Sequence, residues 1–393
     1  MAKKPNIRFK SFDEDWIPTT VGEVFKERDE RSADGELLSV TINSGIRRAK
    51  EMERTFTTGD LTHYKVVKVG DIAYNTMRMW QGACGVSDYS GIVSPAYTIA
   101  TPNDGHIGVF YANMFKTNSM LHDFRINSQG LTSDTWNLKY HNFAKIRINT
   151  PTETEQKEVS KIIGSISSTI SQREKELEKL KNIKRALLEK LFPQEGETIP
   201  VLRFKEFTEK WEERKADDIF ITFYEKNHPE LPVLSATQDR GMVVREDIGY
   251  SIIHNKSNEV TYKHVLPGQF VIHLRSFQGG FAHSSVEGIT SPAYDIFGFR
   301  SPKEHNDYFW KYIFSSAHFI KRLTKVTYGI RDGRNVNYNE FLELLFLTPL
   351  FKEQQKIAKL ITTLSNLLIL REKQLTLLKH TKQALLEQMF VNE

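Results

Sequence analysis

Residues 151–192 can be laid on residues 349–390 at a constant shift of 198, with 18 identities in 42 positions. Pro151/Pro349, Glu155/Glu353, Arg173/Arg371, Ala186/Ala384 and Phe192/Phe390 are among them. No other feature restricts the architecture as much. A period this long cannot be a solenoid repeat, so each unit must be a domain with a long closing element.

The closing element reads as a helix. Val159, Ile163, Ile166, Ile170, Arg173, Leu177, Leu180, Lys184, Leu187 and Leu191 alternate steps of four and three, the spacing of a coiled-coil seam. The second copy keeps the register through Ile357, Ile361, Leu364, Leu368, Arg371, Leu375, Leu378, Lys382, Leu385 and Met389. Thr152 with Glu155 predicts a capping box after Pro151, and Pro193 stops the first helix. About 40 residues make a rod of roughly 60 Å. Neither apolar stripe can stay in water, so the two helices are expected to pack on each other. Arg173 and Arg371 interrupt the seam at one shared position, either snorkelling to solvent or fixing register. Ile162, Ile183, Leu188, Leu360, Leu367 and Leu377 widen the stripe beyond a two-helix seam. They are expected to cover the chain's own domains or to form a docking face for another protein.

The globular halves echo each other in shorter words. RFKSF at 8–12 returns as RFKEF at 203–207, LLSVT at 37–41 as VLSAT at 233–237, and GIVSPAY at 91–97 as GITSPAY at 288–294. Tyr64, Lys65 and Gly70 return as Tyr262, Lys263 and Gly268. Short β-rich runs between Gly- and Asp-rich turns, with an amphipathic helix near 108–125 and 306–325, predict mixed α and β structure. In the GIVSPAY and GITSPAY words, a glycine turn is expected to enter a strand, with Ser-Pro extended at its start. The predicted divisions are domains 1–150 and 201–348, helices 151–192 and 349–393 with its tail, and linker 193–200.

The unlike loops carry the functional expectation. NTMRMWQGACG at 75–85 faces HLRSFQGGFA at 273–282, and each offers an arginine, an aromatic and a glutamine in a glycine-punctuated loop. Arginine binds phosphate or guanine edges, glutamine reads adenine, and an aromatic stacks or wedges. The candidates are Asn75, Arg78, Trp80 and Gln81, matched by Arg275, Phe277 and Gln278. Arg47, Arg48, Lys50, Ser133 and Trp136 join them from the first half, and Gln238, Arg240, Arg331, Arg334 and Asn335 from the second. Any one such loop read alone is a solvated surface loop; six at matched places in two copies are a stronger signal.

Charge limits what the chain can do by itself. Its net charge is +5, of which the helices carry +2 and +4, the linker −2 and the last three residues −1, leaving +2 on the globular halves. That is little for unassisted DNA binding, where phosphate neutralisation supplies most of the affinity. Cys84 is the one cysteine, which excludes an internal disulfide and a cysteine-rich zinc site. There is no run of about 18 apolar residues, so a cytoplasmic chain without a membrane segment is expected. No Walker A, HExxH, GxSxG or dinucleotide GxGxxG sequence occurs, nor an Asn/Asp-Pro-Pro-aromatic methyltransferase tetrapeptide. The histidines read as scattered, and Asp71 and Glu340 show no evident acid-base partner.

Two unlike domains, each followed by a near-copy helix beginning Pro-x-x-x-Glu-Gln, resemble the specificity subunit of type I restriction-modification systems. RFK near the start of each half, the SPAY words, EQKEVSKII and EQQKIAKLI, and KNIKRALLEKLF and HTKQALLEQMF carry the resemblance across the chain. It implies an α+β fold with two tandem target-recognition domains and two antiparallel spacer helices related by a pseudo-twofold axis. It also implies a non-catalytic subunit that reads a bipartite double-stranded DNA target with an unread gap. Two methyltransferase subunits would bind S-adenosylmethionine and methylate adenine, and restriction subunits would use ATP and Mg to translocate and cleave. An enzyme with an unrecognised site and a coiled-coil adaptor are the competing readings.

Overall fold

A computed structural model describes residues 4–42, 45–52, 59–237, 240–248, 256–272, 281–323, 327–328, 335–336 and 338–391. The first half runs β1 (Ile17–Thr20), α1 (Val21–Val24), β2 (Phe25–Glu27), β3 (Leu38–Thr41), β4 (Gly45–Arg48), β5 (Lys65–Val67), β6 (Ile72–Asn75), β7 (Cys84–Val86), β8 (Gly91–Val93) and β9 (Tyr97–Pro102). It continues through α2 (Gly108–Met114), α3 (Asn118–Ile126), α4 (Tyr140–Phe143) and β10 (Arg147–Thr150) into α5 (Glu153–Lys190). The second half repeats this order with one strand pair added. β11 (Glu212–Lys215), α6 (Ala216–Ile219), β12 (Phe220–Phe223), β13 (Leu234–Thr237), β14 (Gly241–Val244), β15 (Lys263–Val265), β16 (Phe270–Ile272), β17 (Ala282–His283), β18 (Gly288–Thr290) and β19 (Asp295–Phe299) come first. Then follow α7 (Asp307–Phe314), α8 (Ala317–Leu323), β20 (Thr327–Tyr328), β21 (Asn335–Val336), α9 (Tyr338–Leu342), β22 (Leu345–Thr348) and α10 (Phe351–Met389).

Apart from the added β20-β21 pair of the second half, sheet topology is the same in both halves among the described residues. Antiparallel sheets in the orders β2-β9-β6-β7 and β12-β19-β16-β17 form the centre. The hairpins β3-β4 and β13-β14 and the pairs β5-β8, β15-β18, β1-β10 and β11-β22 surround them. The chain thus has the expected fold class, mixed α/β domains each followed by a long helix.

The residues divide into two compact units, Met1–Lys175 with Glu372–Glu393, and Glu176–Arg371. Each long helix therefore gives one part of its length to each unit. In the first unit, Val159 and Ile163 from the start of α5 share a core with Leu386, Met389 and Phe390 from the end of α10. In the second, Leu191 at the end of α5 shares a core with Ile357, Ala358 and Ile361 from the start of α10. The helices pack on each other in opposite directions inside each unit, and every seam position is buried or half-buried, Arg173 and Arg371 included.

The repeated phenylalanines show how the halves exchange ends. Phe390, which closes the second copy, packs on Trp16 and Phe110 of the first unit with ring centroids 6.3 and 5.1 Å away. Phe192, which closes the first copy, packs on Trp211 and Phe309 of the second at 6.2 and 5.6 Å. The chain beside each phenylalanine is held in the same way. Ile7 donates its amide to the Gln388 carbonyl at 2.9 Å, and Leu202 donates to the Lys190 carbonyl at 2.8 Å.

Other repeated words turn out to be structural joints. Arg8 of RFKSF and Arg203 of RFKEF clamp Glu155 and Glu353 of the helix starts. The neighbouring glutamines tie down the loop that enters the domain's helices. Gln156 Oε1 accepts from the Ile107 amide at 2.9 Å while Nε2 donates to the Pro151 carbonyl, and Gln354 repeats this with Asn306 and Pro349.

Three local expectations differ from the structure. The helices near 108–125 and 306–325 are each broken in two, because Thr117 and Ser316 start a new helix by accepting from the amides of Met120 and Phe319. Ser94–Tyr97 and Ser291–Tyr294 are turns with proline second, closed by the tyrosine amide donating to the serine carbonyl, and the glycines lie in strands instead. A Cβ on Gly91 would sit 2.3 Å from the Glu36 carbonyl oxygen, and one on Gly288 2.5 Å from that of Pro232. Thr152 caps the Glu155 amide at 3.4 Å, but the Glu155 carboxylate goes to Arg8, so only half of the capping box forms.

Candidate nucleic-acid interface

The hairpins β3-β4 and β13-β14 share one clasp and carry unlike tips. Thr41 donates its hydroxyl to the Gly45 carbonyl at 3.2 Å, and Thr237 to that of Gly241 at 2.8 Å. Gly45 and Gly241 have φ of +61° and +76°, the left-handed region that glycine enters without a steric cost. Between clasp residues the first hairpin carries Ile-Asn-Ser and the second Gln-Asp-Arg. The flanking strands and clasps are alike in the two hairpins, and the three residues between the clasps differ in type.

Three predicted loops of the first unit meet at one end of its sheet. Gly45 lies against Gly85 at the start of β7, so closely that a Cβ on Gly85 would be 2.8 Å from the Gly45 Cα. The start of β4 therefore sits beside β7, just after the turn that joins it to β6. The loop after α3 joins the same place: the Leu138 amide donates to the Thr76 carbonyl at 2.8 Å, and Trp80 and Trp136 meet edge to face at 5.1 Å. The neck of that loop is closed by Gln129 and Asn137, which exchange backbone bonds of 3.0 and 2.8 Å. Its tip projects from the fold, with Leu131 fully exposed and Ser133 exposed.

The predicted residues separate by what they already hold. Arg47 and Arg78 are exposed, as is Arg240 beside the second clasp. Arg48 is engaged, with Nε 3.0 Å from Glu36 and its guanidinium 4.3 Å over the Tyr89 ring. Lys50 bonds Glu36 at 2.7 Å, and this bond, with the charge of Arg48, holds the Glu36 carboxyl below its ordinary range. Asn75 uses its Oδ1 to accept from the Met77 amide, and Trp80 donates its indole N–H to the Met77 carbonyl, so both shape the turn. Gln81 is half-buried in the same turn. Gln238, Arg275, Phe277, Gln278, Arg331 and Arg334 lie outside the described residues, and Asn335 is described only as backbone in β21.

The six widening helix residues also divide. Ile183, Leu360 and Leu377 are exposed, at 50%, 37% and 67%. Ile162 and Leu367 are half-buried, and Leu188 packs against the second unit's own core. Asp71 is structural: it is buried, bonds Arg28 at 2.8 Å and accepts from Thr101. Cys84 is buried, which pushes its thiol up to about 11 and leaves it an inert core residue. Among the described residues no helix is long and apolar enough to cross a membrane.

No protein-family model matches this chain, and no curated protein matches it. Solved structures do. The S subunit of a type I restriction-modification system from M. genitalium superposes at a TM-score of 0.61 with 13% identity, over 99% of this chain and 100% of that one. A chain from a structure concerned with complex assembly and conformational transition of the type I R-M system superposes at 0.52 with 13% identity, over 95% and 97%. The chain therefore has the fold of a type I restriction-modification S subunit.

Proposed function

We propose that this chain is the sequence-reading, non-catalytic subunit of a type I restriction-modification complex. The observation that carries the reading is a single topology built twice, with constant hairpin clasps and unlike apices, in a fold shared end to end with an S subunit. Each globular half reads one part of a bipartite double-stranded DNA target. Exposed Arg47, Arg78 and Arg240 contact phosphate or guanine edges, and the loop bearing Ser133 and Leu131 reaches a groove. The modest charge on the globular halves fits a subunit whose partners supply much of the backbone affinity.

On this reading two methyltransferase subunits dock on the helices, where Ile183, Leu360 and Leu377 offer apolar surface. They bring S-adenosylmethionine and methylate adenine, and restriction subunits bring ATP and Mg. The complex works in the cytoplasm. Co-expression with a methyltransferase partner in a methylation-free host, followed by genome-wide mapping of modified adenines, tests it. One two-part motif with a fixed gap is expected, and replacing residues 201–348 with another such domain should change one part only. No new methylation with an intact bound partner, or both parts unchanged after the swap, would refute it.

A further inference from the structure

We propose that Glu225, His228 and His264 form a binding site for one divalent transition-metal ion of the zinc type. The three lie in the second unit at the foot of the β13-β14 hairpin, and their ligand atoms are all within 4.8 Å of one another. The two imidazole rings lie side by side, tilted by 38° with centroids 4.4 Å apart. The inner nitrogens converge on one carboxylate, His228 Nε2 lying 2.9 Å from Glu225 Oε1 and His264 Nδ1 3.1 Å from Glu225 Oε2.

The outer nitrogens make this more than an ion pair. His264 Nε2 is 2.9 Å from Glu287 Oε1, and His228 Nδ1 is 3.3 Å from Glu230 Oε1. Each ring thus has a carboxylate of its own behind it and a shared carboxylate in front, the arrangement in which an outer acid orients a metal-bound imidazole. One divalent ion among the inner atoms would be held by both rings and the shared carboxylate at once. Two imidazoles and a carboxylate suit zinc, with a fourth position left for water.

The chain is shaped locally to close this cluster. Asn227 stands at φ +73°, the one described non-glycine residue with positive φ, and turns the backbone so that His228 returns to Glu225. The shared scaffold does not require the group. The backbone bond from His264 to Glu225 has its counterpart between Val66 and Glu30, where no imidazole is present, and Ser90 precedes Gly91 where Glu287 precedes Gly288. His264 is buried on β15, whereas Glu225 and His228 belong to the segment that leads into β13. A metal here would pin that segment to the sheet and fix the base of the second hairpin but not the first.

The test uses the full chain, stripped with a chelator and titrated with Co(II) and then Zn(II). One equivalent of Co(II) with the visible absorption of a tetrahedral site, displaced by Zn(II), is expected, together with a higher melting temperature for the loaded chain. The double variant His228→Asn/Glu225→Gln should lose this binding, and Glu287→Gln should weaken it by about 10–100-fold. Because Glu225 and His228 are not core residues, circular dichroism of the double variant should stay that of the parent. A folded parent chain that binds neither ion saturably, or a double variant that binds as the parent does, would overturn the assignment. Neither result depends on whether the chain reads DNA.

Discussion

Arg8 holds Glu155 through two parallel bonds, Nε to Oε1 and Nη2 to Oε2, both 2.7 Å long, across 147 residues of sequence. Arg203 and Glu353 repeat the fork at 2.8 Å across 150. Both carboxylates are buried, and the bond raises each arginine's pKa above its ordinary value. The fork fastens the first residues of each domain to the start of that domain's own helix.

Removing one partner strands a buried charge. Arg8→Met should therefore cost about 3–5 kcal/mol, while Arg8→Met/Glu155→Gln should recover most of the loss. Urea unfolding of the two variants and of Glu155→Gln alone closes the cycle. Simple additivity would show that the pair does not act as a unit.

Phe390 should act on the domain that does not precede it in sequence. It is 1% exposed and belongs to the first unit's core, so Phe390→Ala should cost about 3–5 kcal/mol. Hydrogen exchange is expected to speed up around Trp16, Phe110 and Ile163. Faster exchange around Trp211 and Phe309 instead would contradict the exchange of helix ends.

The second unit should lose stability in mild acid. His305 is buried on the Phe299 ring, and desolvation lowers its pKa to about 4 from 6.5. With the folded value below the unfolded one, the unfolded chain takes up the proton first. Stability then falls as pH drops from about 6.5 to about 4, by about 3 kcal/mol for this residue, and this contribution changes no further below that. His305→Phe should remove that part of the slope in unfolding measured across the window; an unchanged slope would clear His305 of the effect.

Adjacent arginines on β4 should behave differently. Arg47→Ala should leave the melting temperature nearly unchanged and, on the proposed DNA-reading role, weaken DNA binding of the assembled complex, with the salt slope falling by about 1 if it contacts a phosphate. Arg48→Ala removes the Glu36 pair and the contact with Tyr89, so it should lower stability first, by about 1 kcal/mol. Titrations at several salt concentrations, beside melts of both variants, separate the two. Equal effects on binding and stability would erase the distinction.

The helices were legible because a four-three periodicity survives in the sequence whatever the helix packs against. The repeated words were legible as scaffold, but their purpose was not. Arg8 and Glu155 are too far apart in sequence to be seen as a pair, and Gly91 is fixed by the approach of Glu36, which periodicity cannot report. The breaks at Thr117 and Ser316 yield to capping chemistry within a run that is amphipathic throughout. Glu225, His228 and His264 escaped notice because 36 residues separate the histidines and only strand pairing brings them together. In the loops, residue type named Arg47 and Arg48 alike, and only the fold shows that one of them is already engaged.

The matching backbone bonds, Ile7 to Gln388 and Leu202 to Lys190, have a consequence for gene architecture. One of these junctions is bridged by the peptide that runs from Phe192 to Leu202, while the other brings together residues 381 positions apart in the sequence. The order domain, helix, domain, helix thus behaves as a cycle in which each helix ends against the chain that begins a domain. Opening it within residues 193–200 and joining the chain after Gln388 to the chain before Ile7 with a short peptide would write the same cycle from a different starting point. Two separate half-length polypeptides, each a domain with its following helix, could complete one another by the same contacts.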